Sequence, residues 1–298
     1  MFGYDDLMNE VRMFNAHGVE TGVVGRSELG QTIPYVFVGE KNDCRMIVTG
    51  GIHAREHLTS LVVVCLAKYL VAHPEKVMLG GIYFVPTVNP DGMRLCQEGV
   101  GFVEDKERKS NLLAINGGNT DFSLWKANAD GVDLNVNFDA EWGTGKSNVF
   151  CKSSENYVGK SPFSAAESRA LAEFTRLVNP IVTLSYHLKG EEIYWYFGQS
   201  GDNLVRDEKL AQAVARHTGY RLVGDTRGSA GGYKDWCVQR LGIPSFTIEV
   251  GNDKFPHPFP YGELRNILTQ NEDLPRLLLN TVARGDSTRH YGISAEGE

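Results

Sequence analysis

The segment RMIVTGGIHAREH, residues 45–57, indicates the fold class because it changes from strand to helix around one turn. Residues 45–49 are a short, apolar, β-branched run, which is typical of a buried strand. Gly50 and Gly51 then supply a turn, and a helical pattern covers residues 56–72. The pattern therefore places His53 in the loop after a strand and Glu56 in the first turn of a helix.

The same alternation of strands and helices continues along the chain. A β-hairpin is predicted first, at residues 21–24 and 32–38. Buried strands are predicted at residues 45–49, 81–88, 181–185 and 245–250. Helices are predicted at residues 56–72, 165–178, 207–218, 233–241 and 261–282, with Pro275 as a break in the last. This order predicts an α/β fold with helices on both faces of a largely parallel or mixed sheet, in a single domain over residues 1–298.

Length and composition exclude several classes of protein. The chain has 298 residues, is 42% hydrophobic and carries a formal charge of −7, which suits a globular domain rather than a disordered or fibrous one. The acid excess argues against nucleic acid and anionic lipid as partners. The longest apolar run, residues 61–70, is far below the roughly 20 residues that span a bilayer. The N-terminus lacks an export signal and the five cysteines form no C-x-x-C pair, so we expect a cytoplasmic protein.

Polar side chains stand at the ends of four predicted strands. His53 follows the first buried strand, Asn89 and Asp91 follow the second, His187 follows the third and Glu249 ends the fourth. The active groups of an open α/β sheet lie at the carboxyl ends of its strands. We therefore expect these residues to converge on one edge of the sheet.

Two of these segments predict a metal site. His53 and Glu56 are three residues apart and offer an imidazole and a carboxylate, which suit a divalent ion such as zinc. An H-x-x-E pair alone is a weak signal, since it also occurs on ordinary surface helices. A catalytic site needs a third protein ligand and an open position for water, and His187 is the best candidate for that ligand.

Five segments together resemble the zinc metallocarboxypeptidase family in content and order. They are GGIHAREH (50–57), PTVNPDG (86–92), GVDLN (131–135), SYH (185–187) and TIE (247–249). The resemblance implies a three-layer α/β/α sandwich with a mixed, eight-stranded sheet and one zinc ion per chain. It also implies that His53, Glu56 and His187 are the zinc ligands and that Glu249 is the general base.

The resemblance implies roles for further residues near these motifs. Asp133 matches a carboxylate that orients a ligand imidazole, and Arg55 matches an arginine that contacts substrate. Asn135 matches a residue that binds a substrate carboxylate. Lys126 follows Trp125, at a position where the family has an arginine that supports the oxyanion. Lysine keeps the positive charge but lacks the planar guanidinium and its paired N–H donors.

Two further positions depart from the carboxypeptidases of the pancreatic kind. Val136 follows Asn135, where those enzymes have an arginine that clamps the C-terminal carboxylate. Arg227 precedes Gly228, where they have a mobile tyrosine. An arginine that forms two hydrogen bonds is the usual partner of a terminal carboxylate. These changes therefore indicate that the protein recognises a different group of its substrate.

Bacterial γ-D-glutamyl-meso-diaminopimelate peptidases depart similarly, and this sequence resembles them more closely. The shared segments are WKAN (125–128), GVDLNVNF (131–138), KGEEIYW (189–195) and GSAGGYKDW (228–236). The resemblance implies a peptide substrate, a muropeptide, with hydrolysis of the γ-D-glutamyl bond to diaminopimelate. No wall-binding repeat or export signal is found in the sequence, so we expect intracellular recycling of muropeptides. Tyr233 in the last segment is a further expected substrate contact.

Several charged residues remain candidates for binding the far end of diaminopimelate. Its carboxylate has four possible partners, which are Lys126, Lys189, Arg227 and Lys234, and its amine has three, which are Glu191, Glu192 and Asp235. Glu192 is expected in the site because Glu191 and Glu192 follow the His187 loop. Three alternatives stay open: a general metallocarboxypeptidase, a non-catalytic muropeptide-binding protein and an amidohydrolase acting on N-acyl amino acids.

Overall fold

A computed structural model describes residues 2–224 and 228–290 and builds them around one mixed sheet of eight strands. The strand order across the sheet is β1-β2-β4-β3-β5-β8-β6-β7. The strands are β1 (Glu20–Arg26), β2 (Thr32–Gly39), β3 (Arg45–Thr49), β4 (Gly81–Val85), β5 (Val182–Leu188), β6 (Glu192–Tyr194), β7 (Arg221–Val223) and β8 (Ser245–Val250).

The centre of the sheet is parallel and its flanks are not. Strands β4, β3, β5 and β8 are neighbours and run in the same direction. On one side β1 and β2 form the expected hairpin, which is antiparallel to β4. On the other side β6 is antiparallel to β8 and parallel to β7. The four parallel strands therefore deliver their carboxyl ends to one edge of the sheet.

Nine helices are described, and they cover both faces of the sheet. They are α1 (Tyr4–Ala16), α2 (Leu58–Ala72), α3 (Pro90–Glu98), α4 (Lys106–Ile115), α5 (Ala166–Val178), α6 (Gly201–Thr218), α7 (Tyr233–Leu241), α8 (Leu264–Asn271) and α9 (Leu274–His290). Helices α1, α2, α6, α8 and α9 share one core with the sheet, and α5 and α7 share a second core on the opposite face. The predicted three-layer α/β/α sandwich is confirmed.

Side-chain alternation along the strands explains the two cores. In β3, Met46 and Val48 join the first core, whereas Ile47 between them joins the second. All three side chains are fully buried. A strand that is covered on both faces has no solvent side, which is why the central strands are continuous apolar runs.

Several element boundaries differ from those predicted. Strand β4 ends at Val85, because the next residues turn to meet the loop after β3, where Val88 N–H donates to the Gly50 carbonyl over 3.1 Å. Strand β5 extends to Leu188, so His187 lies inside the strand. Helices α1, α3 and α4 were not predicted. The long helix expected near the C-terminus is broken as expected, with Pro275 in the first turn of α9, where its missing N–H costs no helical bond.

Among the described residues, no helix combines the length and apolarity that crossing a membrane requires. This agrees with the short apolar runs of the sequence. The single domain over residues 1–298 is a statement about the whole chain and stays a prediction.

Two buried carboxyl groups, Glu167 in α5 and Asp91 in α3, bind the turn between β1 and β2. Glu167 in α5 accepts hydrogen bonds from Glu28 N–H (3.2 Å) and from Asn128 Nδ2 (2.8 Å). Asp91 in α3 accepts one from Leu29 N–H (2.8 Å). Burial, with repulsion from Asp91, raises the pKa of Glu167 to about 8, and burial raises the pKa of Asp91 to about 6. The turn between β1 and β2 is thus tied to two carboxyl groups whose pKa values are raised above the ordinary range.

This arrangement predicts how stability depends on pH. Between the ordinary pKa of glutamate, 4.5, and about 8, folded Glu167 binds a proton that the unfolded chain has lost, so its contribution to the free energy of unfolding falls as pH rises. We expect Glu167→Gln to lose less thermal stability than the parent chain between pH 5 and pH 8. Glu173→Gln, an exposed position on the same helix, should keep the parental slope. Equal pH slopes of Tm for Glu167→Gln and the parent would show that Glu167 does not titrate in this way.

Candidate metal centre

The Gly50-Gly51 turn lets the chain leave β3 and present His53. Gly51 has a φ of +57°, and a Cβ there would lie 2.5 Å from Ser60 Oγ and 2.7 Å from Thr87 Oγ1. Both the backbone conformation and the crowding therefore require glycine. A short 3₁₀ turn, Ala54–Glu56, follows His53 and turns the Glu56 carboxylate back toward the imidazole.

Three predicted ligands converge. The His53 Nδ1 atom lies 2.8 Å from Glu56 Oε1, and the His187 Nδ1 atom lies 3.2 Å from Glu56 Oε2. The two Nδ1 atoms are 3.2 Å apart, and one ligand atom from each residue lies within 4.8 Å of the others. All three residues are buried. In the described part of the chain, this is the one such group of His, Cys, Asp or Glu.

The electrostatics of this cluster favour a cation. Burial alone would raise the pKa of Glu56, but the two imidazoles hold it well below its ordinary value. Burial alone would lower the pKa of His53. The Glu56 and Asp133 carboxylates have the larger combined effect, so the pKa of His53 is raised overall. Two ring nitrogens and a carboxylate that share so small a space suit one divalent ion, and the His-Glu-His set fits a single zinc ion.

Asp133 connects this cluster to Lys126. Its Oδ1 atom lies 3.4 Å from His53 Nε2, and its Oδ2 atom lies 2.8 Å from Lys126 Nζ. Burial would raise the pKa of Asp133, but Lys126 and His53 hold it far below the ordinary range. A carboxylate beside Nε2 keeps the proton on that nitrogen and leaves Nδ1 free for a metal. This is the placement expected of a residue that orients a ligand.

Glu249 lies beside His187 because β5 and β8 pair in parallel with these two residues in register. Its Oε2 atom is buried and has no hydrogen-bond partner in the part of the chain that the structure describes. Desolvation, with repulsion from Glu56 and Glu192, raises the pKa of Glu249 to about 8, although His187 and Lys126 oppose the shift. An unpartnered buried oxygen is costly, which indicates that a water, a substrate or an ion completes this position.

A cavity of about 480 Å³ opens at the cluster. Its lining is polar and includes both charge signs: His53, Lys126, Asn135, Tyr194, Gly228, Ser229, Gly232, Lys234, Asp235, Thr247 and Glu249. A larger cavity of about 810 Å³ lies between α6 and α9 and contains none of the residues that the sequence singled out. The smaller cavity is therefore the candidate substrate site.

The expected substrate contacts divide into two groups. Lys126 and Asn135 line the cavity. Arg55 instead bonds the Glu155 carboxylate (3.2 Å) and the Leu124 carbonyl (3.3 Å) through Nη1. Its guanidinium is therefore engaged outside the set of residues that line the cavity.

Glu192 and Tyr233 are held elsewhere. Glu192 pairs with Arg221 and accepts a hydrogen bond from Tyr194 Oη over 2.7 Å. The Tyr233 ring is buried in the core beneath α7, and its hydroxyl bonds Thr175 Oγ1 over 2.8 Å. The structure does not bring this side chain to the cavity, because Tyr233 points into the core at the first turn of α7. Its backbone N–H still donates to Asn135 Oδ1 over 3.1 Å.

Of the other charged candidates, the structure brings two to the cavity, Lys234 and Asp235. Lys189 pairs with Asp253 over 3.0 Å, and Glu191 accepts a hydrogen bond from Asn252 over 3.1 Å. Arg227 lies outside the described residues.

Five lining residues were not identified as site residues from the sequence: Tyr194, Gly228, Ser229, Gly232 and Thr247. Thr247 is two residues before Glu249 on β8, so both lie on the same face of the strand, and Tyr194 pairs with Thr247 across β6 and β8. Because side chains alternate between the two faces of a strand, the position of Thr247 two residues before Glu249 could have predicted that both face the site. The pairing of β6 with β8, which positions Tyr194, had no local sequence signal.

Asn89 and Asp91 stand near the site without lining it. Asn89 begins α3, where its Oδ1 accepts from Gly92 N–H, and its Nδ2 donates to the carbonyls of Ile52 (3.3 Å) and Ala127 (3.0 Å). It thereby fixes the residues next to His53 and Lys126. Asp91 points toward the turn between β1 and β2, as described above.

The cluster predicts that His187→Ala loses zinc affinity by at least about a hundredfold, because one of three protein ligands is removed. The measurement is zinc content per chain after dialysis against a competing chelator, with one zinc expected for the parent. His217→Ala, an exposed position on α6, is the matched control and should bind zinc as the parent does. Full and tight zinc retention by His187→Ala would rule out this ligand set.

The chain is similar to known proteins in sequence and in fold. A γ-D-glutamyl-L-diamino acid endopeptidase from Lysinibacillus sphaericus is 31% identical over 274 residues, which is 86% of this chain and 67% of that protein. This chain thus spans about two thirds of the length of that relative. Bovine thrombin-activatable fibrinolysis inhibitor, solved with a tick carboxypeptidase inhibitor, has the same fold, with a TM-score of 0.77, 20% identity and coverage of 95% of this chain and 97% of that one.

The murein-tripeptide amidase of Escherichia coli O157 shares the fold at a TM-score of 0.57 and 24% identity, over 87% of this chain and 91% of that one. Residues 4–273 match the sequence profile of the zinc carboxypeptidase family, which is about nine tenths of the chain. A match of this extent establishes membership rather than a shared motif. The chain is therefore a zinc metallopeptidase that belongs to the zinc carboxypeptidase family.

Proposed function

We propose that this peptidase hydrolyses the γ-D-glutamyl-meso-diaminopimelate bond of peptidoglycan peptides. The observation that carries the proposal is the polar cavity at the ligand cluster, in which the described lysines are Lys126 and Lys234. The Lysinibacillus sphaericus relative is named for a γ-D-glutamyl-L-diamino acid substrate, which supports the same substrate class. Val136, in place of a carboxylate-clamping arginine, supports a substrate other than an ordinary C-terminal peptide.

In the proposed reaction, His53, Glu56 and His187 hold one zinc ion. Zinc, when bound, polarises the scissile carbonyl and lowers the pKa of water. Glu249 takes a proton from the attacking water as the water oxygen bonds to the carbonyl carbon. Glu249 then gives this proton to the diaminopimelate nitrogen as the carbon–nitrogen bond breaks. Its Oε2 atom suits this role because it has no hydrogen bond to give up among the described residues.

Lys126 and Asn135 would position the substrate beside these groups. Lys126 stays protonated at neutral pH, since Asp133 raises its pKa despite burial, and so presents a positive charge to the carbonyl oxygen. Asn135 Oδ1 is engaged by Tyr233 N–H, which leaves its amide NH₂ for a substrate carboxylate. Arg55 is held by Glu155 and would contact substrate only after leaving that partner.

Two alternatives use the same scaffold. A general metallocarboxypeptidase would release C-terminal residues from ordinary peptides, and a non-catalytic muropeptide-binding protein would bind without turnover. The presence of Glu249 beside the ligand cluster favours catalysis over binding alone. A muropeptide as partner is part of the proposal, and the cytoplasmic location stays a prediction.

The proposed role of Glu249 predicts that Glu249→Gln lowers kcat/KM on a cleaved peptide by at least about a hundredfold, the scale of a general base. Zinc content and Tm should stay at the parental values. Glu208→Gln, exposed on α6, serves as the control with unchanged activity. Near-parental turnover by a folded, zinc-loaded Glu249→Gln variant would mean that another group takes the proton.

The proposed substrate predicts a strong preference for the γ-linked peptide. We expect kcat/KM for L-Ala-γ-D-Glu-meso-diaminopimelate to exceed that for the α-linked L-Ala-L-Glu-meso-diaminopimelate, and that for hippuryl-L-phenylalanine, by at least about tenfold per missing charge-assisted contact. Product masses would identify the bond that is cut. Comparable values for hippuryl-phenylalanine and the muropeptide would instead support the general carboxypeptidase.

A further inference from the structure

The wall of the substrate cavity contains a buried ion pair, Lys234 and Asp235, at the start of α7. The two residues are only 6% and 5% exposed. The Lys234 Nζ atom lies 2.5 Å from Asp235 Oδ1 and donates to the Tyr196 carbonyl over 2.9 Å. Burying two charges costs more free energy than the pair regains unless further hydrogen bonds complete both groups.

Among the described residues, both oxygens of Asp235 have partners, whereas Lys234 has two partners for its three donors. The Asp235 Oδ2 atom accepts from Gly232 N–H over 3.0 Å, so this carboxylate has a partner on each oxygen. An ammonium has three N–H donors, and the two contacts of Lys234 account for two of them. Lys234 lines the cavity, and within the part of the chain that the structure describes its third donor has no hydrogen-bond partner.

The other lysine of the cavity has a different position. Lys126 is bound to Asp133, which itself contacts His53, so its charge lies at the metal cluster. Lys234 is bound to Tyr196, which follows β6, and its Nζ atom lies 5.3 Å from the centre of the Phe197 ring. The two positive charges are thus anchored to different parts of the cavity wall.

We propose that Lys234 determines specificity by binding a carboxylate on the side chain of the leaving residue, and that Asp235 is a positioning residue that holds Lys234 in place. The inference rests on the proposed function, and it identifies the side chain that recognises the leaving residue. Meso-diaminopimelate carries a second carboxylate at the end remote from the scissile bond, and L-lysine has the same chain without it. A lysine ammonium in a poorly solvated wall distinguishes these two residues by one charge-assisted hydrogen bond.

The test compares two tripeptides, L-Ala-γ-D-Glu-meso-diaminopimelate and L-Ala-γ-D-Glu-L-Lys, which differ by this carboxylate. We expect the parent to prefer the first by at least about tenfold in kcat/KM. Lys234→Met should lose about that factor on the diaminopimelate peptide, change less than about twofold on the lysine peptide, and so abolish the preference. Asp235→Asn should reduce the same ratio, which a merely structural role would leave unchanged.

Lys68→Met removes a lysine that is paired with Glu10 on α1, and it should leave both rates unchanged. Equal losses of Lys234→Met on both peptides would overturn the proposal and make the pair structural. If this variant does not fold, as judged by Tm, the parent is given the diaminopimelate peptide with its distal carboxylate amidated. A loss of at least about tenfold supports the proposal, and equal cleavage of the free and amidated forms refutes it.

Failure of the proposed function has a separate signature. The parent would then hydrolyse α-linked peptides and leave both γ-linked peptides intact. In that case hippuryl-L-glutamate and hippuryl-L-glutamine test Lys234 directly, since they differ by one charge on the leaving side chain. A preference for glutamate that Lys234→Met removes would support a specificity role for this lysine, and the absence of that preference would refute it.

Discussion

The Glu56 carboxylate lies between the imidazoles of His53 and His187, and its contacts with these two rings hold the candidate metal site together. Its two oxygens lie 2.8 and 3.2 Å from the two Nδ1 atoms, and Leu188 N–H donates to Oε2 over 3.2 Å. A buried carboxylate needs such partners, because it would otherwise become protonated. The parallel pairing of β3 with β5 is what brings these partners together from positions more than 130 residues apart in sequence.

A second layer of buried polar contacts fixes the groups around this carboxylate. Asp133 joins His53 to Lys126, and Asn89 bonds the carbonyls next to both residues. Asp133 and Lys126 lie in the connection between α4 and α5, and their partners His53 and Asn89 lie at the ends of β3 and β4. The orientation of the His53 ring therefore depends on the loop that carries Lys126 and Asp133. Replacing either residue should change the orientation of this candidate metal ligand.

The fold and the convergence of His53, Glu56, His187 and Glu249 were predictable from the sequence, whereas the positions of several expected substrate contacts were not. Strand-end placement identified His53, His187 and Glu249 because parallel neighbours deliver their last residues to one edge. No such rule gives the direction of a side chain on a helix. Tyr233 and Lys234 are adjacent at the start of α7, yet the first enters the core and the second lines the cavity, and only the docking of α7 on the sheet decides which.

Under the proposed function, the placement of positive charge in the cavity separates this chain from an ordinary carboxypeptidase. A guanidinium binds a terminal carboxylate through two parallel donors, whereas a lysine offers one point charge with rotatable donors. Lys126 and Lys234 are each paired with an aspartate, so both charges are fixed in position before a substrate arrives. Pre-positioned charges favour a substrate whose own charges match their spacing over one that has a single terminal carboxylate. In the proposed function Lys126 faces the scissile carbonyl and Lys234 faces the carboxylate of the leaving side chain, so the two charges serve different groups of the substrate.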